Sequence, residues 1–112
     1  MGRRMQGEGG YIKLYRSLTS WEWFEDTATA HLWIYILLRA NYEPSTFRGI
    51  HIGRGEFLES YATMAKNTGL SVKQIRDALN HLRRAGQIVT QRSHCGTIVK
   101  VLNYAVYQDS DE

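Results

Sequence analysis

The chain has one cysteine, Cys95, and one proline, Pro44, in 112 residues. A lone thiol excludes an internal disulfide and fits a reducing compartment. So little proline, with few low-complexity stretches, excludes the composition of an extensively disordered chain. Long hydrophobic runs are missing as well. The longest, "LWIYILL" from Leu32 to Leu38, falls far short of the roughly 20 apolar residues that a membrane-spanning helix needs. "MGRRMQGEGGY" carries positive charge with no apolar stretch behind it, so it does not read as a secretory signal. Gln6 stands where a myristoylation signal wants Ser or Thr. The expectation is a soluble, cytoplasmic protein with no membrane partner.

Catalytic and metal-binding motifs are equally scarce. His31 and His51 stand apart from any nucleophile pattern. Glu56 and Glu59 are three apart in a stretch that reads as a strand, which puts them on opposite faces and prevents them from acting as a pair. His94-Cys95 has no second pair at ligand spacing, so a turn and an exposed thiol are expected there. "GIHIGRGE" is Gly-rich but lacks the Lys-Ser/Thr ending of a phosphate-binding loop. The reading is no enzyme, no cofactor and no metal.

What is present is an ordinary globular composition, 43% apolar and 22% charged, in a chain long enough for one core. The net charge of +3 is unevenly spread. Residues 47–104 hold nine Lys/Arg against three acids, and the remainder five against eight. A polyanion is the partner this asymmetry suggests, although a solvated basic face produces it too.

Residues 1–10, with Arg3 and Arg4, read as a flexible arm, 11–108 as one domain and 109–112 as an acidic tail. Ile12, Leu14 and Leu18 look core-facing, and Thr19 with Glu22 matches a capping box for a short helix around "SWEWF". Asp26 or Thr27 caps a helix, "TATAHLWIYILLRAN", whose rows Leu32/Ile36 and Trp33/Leu37/Ala40 make it apolar around much of its girth. Such a helix is central to a core or shares a side with another subunit. Trp21, Trp23, Trp33, Tyr35 and Tyr61 read the same way, as core or oligomer contacts.

"NYEPSTFRGIHIGRGE" reads as a loop, broken by Pro44 and three glycines. "GEFLES" reads as a strand, and Ser60 as the cap of a helix, "YATMAKNTG", that ends at Gly69. Ser71 with Gln74 forms a capping box for the next helix, where Val72, Ile75, Leu79 and Leu82 recur at helical spacing up to Gly86. "QIVTQRS" and "TIVKVLNY" alternate as a hairpin joined by "HCG".

Helix, strand, helix, Gly-containing turn, helix, hairpin is the order of an α+β winged helix-turn-helix: a three-helix core, a short strand and a C-terminal β-hairpin wing. At about 100° per residue, Lys73, Gln74, Asp77, Asn80, His81 and Arg84 point away from the apolar stripe, with Arg76 and Arg83 at its flanks. Lys73, Gln74 and Asn80 suit base edges or phosphates, and Arg76, Arg83 and Arg84 suit phosphates. The helix N-terminus at Ser71 adds backbone N–H groups that favour an anion. Arg92, His94 and Lys100 lie on or near the hairpin. The candidate DNA-binding set is therefore Ser71, Lys73, Gln74, Arg76, Asn80, His81, Arg83, Arg84, Arg92 and Lys100. Asp77, in the middle of that face, would repel phosphate.

"YIKLYRSLTSWEWF", "LWIYILLRAN", "RGIHIGRGEFLES", "TGLSVKQIRDALNHLRRAGQI" and "NYAVYQ", in this order, resemble the N-terminal winged-helix domain of phage replisome organizer proteins, which are similar to DnaD-type primosomal proteins. The resemblance runs from Tyr11 to Gln108. It implies a part in starting DNA replication: binding double-stranded DNA, contacting a replication initiator or helicase-loading proteins, and homo-oligomerisation, in a bacterial host cytoplasm. In DnaD-type relatives this domain is chiefly an oligomerisation and protein-contact module. Two departures stand out: Ala105 occupies a position that is usually acidic, and relatives continue past the equivalent of "DSDE" into a further domain. The rival readings are an oligomerisation module that does not touch DNA and a small winged-helix transcriptional regulator.

Overall fold

The computed structural model describes residues 10–109. The arm carrying Arg3 and Arg4 and the last three residues of the acidic tail lie outside the described residues. The described chain is an α+β domain of four α-helices and two small antiparallel sheets. None of its helices is long and apolar enough to cross a membrane.

Helix α1, Thr27–Arg39, starts where Asp26 accepts a hydrogen bond from the Thr29 backbone N–H. Both apolar rows read from the sequence, Leu32/Ile36 and Trp33/Leu37/Ala40, are buried, so α1 is the central element of the core. Helix α2, Tyr61–Thr68, is capped by Ser60 and ends at Gly69, whose φ of 79° is the left-handed geometry that glycine adopts without steric cost. Helix α3, Val72–Arg84, opens on a complete capping box. Its buried stripe is Ile75, Ala78, Leu79 and Leu82. Val72, expected in that stripe, sits in the exposed first turn, and Ala78 completes the buried face instead.

The segment "NYEPSTFRGIHIGRGE" is not an unstructured loop. Strands β1, Ser45–Phe47, and β2, Ile50–Ile52, pair antiparallel across Arg48 and Gly49, which have φ of 50° and 80°. A two-residue turn with positive φ at both positions matches the twist of its strands. Gly49 is thus a hairpin residue and not a breaker.

The second sheet has the order β3-β5-β4 and is antiparallel throughout, with β3 at Glu56–Glu59, β4 at Ile88–Ser93 and β5 at Gly96–Val101. The register pairs Phe57 with Val99 and Ile88 with Val101, and all four are buried. Gly96 closes the β4–β5 turn against the backbone of Glu59 and Ser60. Cys95, in that turn, is half-buried and not exposed as expected.

The last described element is helix α4, Tyr104–Gln108. Its carbonyls hold the N-terminal segment: the Lys13 N–H donates to Tyr107 O at 2.7 Å and the Tyr15 hydroxyl to Val106 O at 3.2 Å. The helix expected around "SWEWF" is replaced by a 3₁₀ turn over Arg16–Ser20 followed by further tight turns. The Thr19 hydroxyl bonds back to Arg16 O at 3.0 Å and caps nothing ahead of it. These turns send neighbouring tryptophans to different helices: Trp21 packs against Trp33 of α1, and Trp23 against His81 of α3.

Candidate nucleic-acid interface

Helices α2 and α3 are joined by Gly69, Leu70 and Ser71 alone, so the start of α3 is tightly fixed. The Ser71 hydroxyl accepts from Gln74 N at 3.0 Å, and Gln74 Oε1 accepts from Ser71 N at 2.9 Å. This cap satisfies backbone donors that the first turn otherwise leaves unpaired. It also engages Ser71 and the Gln74 carbonyl oxygen in holding the helix. Arranged around α3, the remaining polar residues fall into two flanks and an outer line.

One flank faces α1. His81 Nδ1 lies 2.8 Å from the hydroxyl of the fully buried Thr29 and 3.7 Å from Asp26 Oδ2. The imidazole stacks on Trp23, with ring centroids 3.9 Å apart and planes 10° from parallel. Asp26 is itself the cap of α1, so His81 ties the start of one helix to the last turn of another. This corrects the outward orientation expected for His81. The turn carrying Trp23 covers a direction that a projection of α3 alone leaves open.

The other flank faces the β4–β5 hairpin. Arg83 donates through Nη1 to Thr90 Oγ1 of β4 at 2.8 Å and through Nη2 to Asn80 Oδ1. Arg76, on this flank, and Arg84, on the outer face of the helix, are exposed and make no hydrogen bond or ion pair among the described residues. The same holds for Arg92, which pairs in register with Thr97 and shares a sheet face with Thr90. Four guanidinium groups therefore lie along α3 and the adjoining strand.

Lys100 does not join them. It alternates with the buried Val99 and Val101, so its side chain leaves the opposite face of the sheet, in register with Glu56 and Val89. Lys100 and Arg92, grouped on the sequence, are separated by the thickness of the sheet. Lys100 instead borders a cavity of about 370 Å³ shared with His51 and Ile50 of β2.

The outer line of α3 carries Lys73, Asp77 and, two turns on, Arg84. Lys73 Nζ donates to Asp77 Oδ2 at 2.8 Å, with the two side chains 78% and 49% exposed. That hydrogen bond, opposed by desolvation, holds the Asp77 carboxyl below the usual aspartate range. The carboxylate that fitted the basic face least well thus has a lysine partner one turn away on the same helix.

Two features leave little or no trace in the sequence pattern. The His81 clasp joins residues more than 50 positions apart and leaves no local signal. The β1–β2 hairpin does leave one: an Arg-Gly pair between short alternating runs, with Arg48 packed over the exposed Phe47 ring at 5.2 Å. Elsewhere, Glu59 is buried with Tyr35 and Arg39 as donors, at 2.7 and 2.8 Å, and Asn67 donates to the Tyr35 hydroxyl at 2.9 Å. Burial pushes that hydroxyl above its ordinary pKa. The described residues contain no group of three or more His, Cys, Asp or Glu able to hold a metal. Comparisons with protein-family models, curated proteins and solved structures give no match.

Proposed function

We propose that the chain is a winged-helix module that binds double-stranded DNA, with α3 as its reading helix and the β4–β5 hairpin as its wing. It has no catalysis of its own and acts in replication initiation of the phage replisome-organizer type, where such a module helps assemble the helicase-loading complex. The observation that carries DNA binding is the basic strip that runs over the outer and hairpin sides of α3 and onto β4. Arg76 and Arg84 project freely from α3, Arg92 projects from β4, and the one acidic residue on the outer line of α3, Asp77, is paired with Lys73. Guanidinium groups spaced along a helix and the neighbouring strand can follow a phosphate backbone, and each phosphate neutralised releases counterions. The replication role rests on the resemblance of the five ordered segments.

Duplex binding across a salt series tests the reading. The wild type should bind at low salt, with affinity falling steeply as salt rises. An Arg76→Ala/Arg84→Ala/Arg92→Ala variant should bind much more weakly, with a flatter dependence. Equal binding by the two proteins, or none by either, rejects the proposal.

One observation favours a second reading, a protein-contact module. Tyr11, Leu14, Tyr15 and Val106 are exposed apolar side chains on adjoining segments, and Tyr11 is 77% exposed. Gln108 Nε2 donates to Tyr11 O at 3.2 Å and the Tyr15 hydroxyl to Val106 O, which holds them in one patch. Light scattering at high concentration separates the readings. A strict monomer removes self-association, and an oligomer without duplex affinity replaces the DNA reading.

A further inference from the structure

A carboxylate on the outer line of a DNA-reading helix is costly unless it meets something other than phosphate. Asp77 and Lys73 are one turn apart on the line of α3 farthest from the buried stripe, so the two side chains project together. Their interacting atoms are 2.8 Å apart. We propose that Lys73 and Asp77 together select a guanine–cytosine pair in the major groove, Lys73 Nζ donating to guanine O6 and N7 and the Asp77 carboxylate accepting from cytosine N4. This inference rests on the DNA-binding reading above.

The spacing matches. Guanine O6 and cytosine N4 are themselves joined by a Watson–Crick hydrogen bond, with an N···O separation of about 2.9 Å. A donor and an acceptor held at 2.8 Å by their own hydrogen bond therefore face an acceptor and a donor at nearly the same spacing. An ammonium has three N–H donors. One is used on Asp77, and the others match the two acceptors of guanine. Asp77 Oδ1 has no hydrogen-bond partner among the described residues, and an ionised carboxylate only accepts, as the cytosine amine requires.

Other pairs fit worse. An A·T pair in the same orientation presents thymine O4, an acceptor, to the carboxylate. A T·A pair offers Lys73 a single acceptor and sets the thymine methyl beside it. Neither Gln74, whose carbonyl oxygen is held in the cap, nor His81, clasped to α1, competes for the same base edge.

The test uses the 112-residue chain and duplexes selected from a randomised pool. Affinities at one salt concentration are compared for the selected duplex and for the same duplex with its G·C pair changed to A·T. The wild type should discriminate by roughly tenfold. Asp77→Ala should discriminate less, keeping only the part that Lys73 supplies, yet bind the A·T duplex more tightly than wild type does, because a negative charge has left the DNA face. Lys73→Gln should lose discrimination and bind both duplexes more weakly. A purely structural role would not raise affinity while lowering selectivity. Salt-dependent binding with no G·C preference, or undiminished discrimination in Asp77→Ala, overturns the inference and leaves the DNA reading standing. Absence of duplex binding at low salt overturns both.

Discussion

The two flanks of α3 are built from similar polar residues and end in opposite conditions. On the α1 side, Gln74 is held by the cap and His81 by Thr29 and Trp23. On the hairpin side, Asn80 and Arg83 are tied to each other and to Thr90, while Arg76, and Arg84 on the outer line beyond it, make no hydrogen bond or ion pair among the described residues. The difference comes from the neighbours and not from the residue types. A turn rich in aromatics rises over the first flank and engages His81 through Trp23. An edge strand borders the second, engages Arg83 through Thr90 and leaves Arg76 in water. Polarity on a helix face is therefore weak evidence of a binding surface until the neighbouring element is known.

The largest effect is expected from undocking the hairpin that defines the free flank. A Cβ at Gly96 would stand 3.0 Å from the Glu59 carbonyl carbon and 3.1 Å from both Glu59 O and Ser60 N, at a φ of 140°. The obstacle is backbone, which cannot swing aside as a side chain does. Gly96→Ala should cost about 2–4 kcal/mol, read from urea unfolding, and should weaken duplex binding as Arg92 moves away from α3. A variant of unchanged stability would show that the hairpin is not held at this point.

Next comes the clasp. His81→Ala leaves the buried Thr29 hydroxyl without its partner and removes the stack on Trp23. A loss of about 2–3 kcal/mol is expected. Among folded molecules, duplex affinity should change far less than in Arg76→Ala/Arg84→Ala. That double variant should show the reverse pattern: stability within about 0.5 kcal/mol of wild type, and a slope of log affinity against log salt shallower by roughly 0.9 for each phosphate that is no longer neutralised. If His81→Ala weakens binding as much as the double arginine variant, the two flanks do not differ in the way proposed.

Much of this scaffold was legible in the sequence because its signals are local. The Asp26, Ser60 and Ser71 caps, the glycine at the end of α2 and the apolar rows of α1 each lie within a few residues of the element they define. Orientation was the harder part. Helical periodicity gives the angle of His81 around α3 but not which segment lies there, and Trp23 reaches it from another part of the chain. The position of Lys100 was closer to hand, since its alternation with Val99 and Val101 already sends it away from the core face. The β1–β2 hairpin was hidden because two three-residue strands carry little periodic signal, and its glycine reads equally as a breaker or a turn. The Thr19–Glu22 pattern misled for a related reason. A match of two residues at one spacing arises easily by chance, and here the Thr19 hydroxyl bonds backward to Arg16 instead.

The smallest predicted effect bears on the outer line between the flanks. The Lys73 hydrogen bond holds the Asp77 carboxyl below its ordinary range in the folded state. A depressed folded pKa means that the pair's contribution to stability is complete above the unfolded aspartate value of about 3.9 and is lost as pH falls through the lower folded value. On so exposed a pair the contribution is small, so titration of the carboxyl by NMR is the more sensitive measurement. In Lys73→Ala, Asp77 should titrate at higher pH than in wild type. Asp109 supplies an internal control, because its carboxyl is held low by a different partner, Arg54. An upward shift at Asp77 with Asp109 unmoved identifies the Lys73 hydrogen bond as the cause. A shift at both would mean that the substitution disturbs the whole domain. No shift at Asp77 would dissolve the pair, leaving an unpartnered carboxylate on the proposed DNA face and removing the geometry on which the proposed base selection depends.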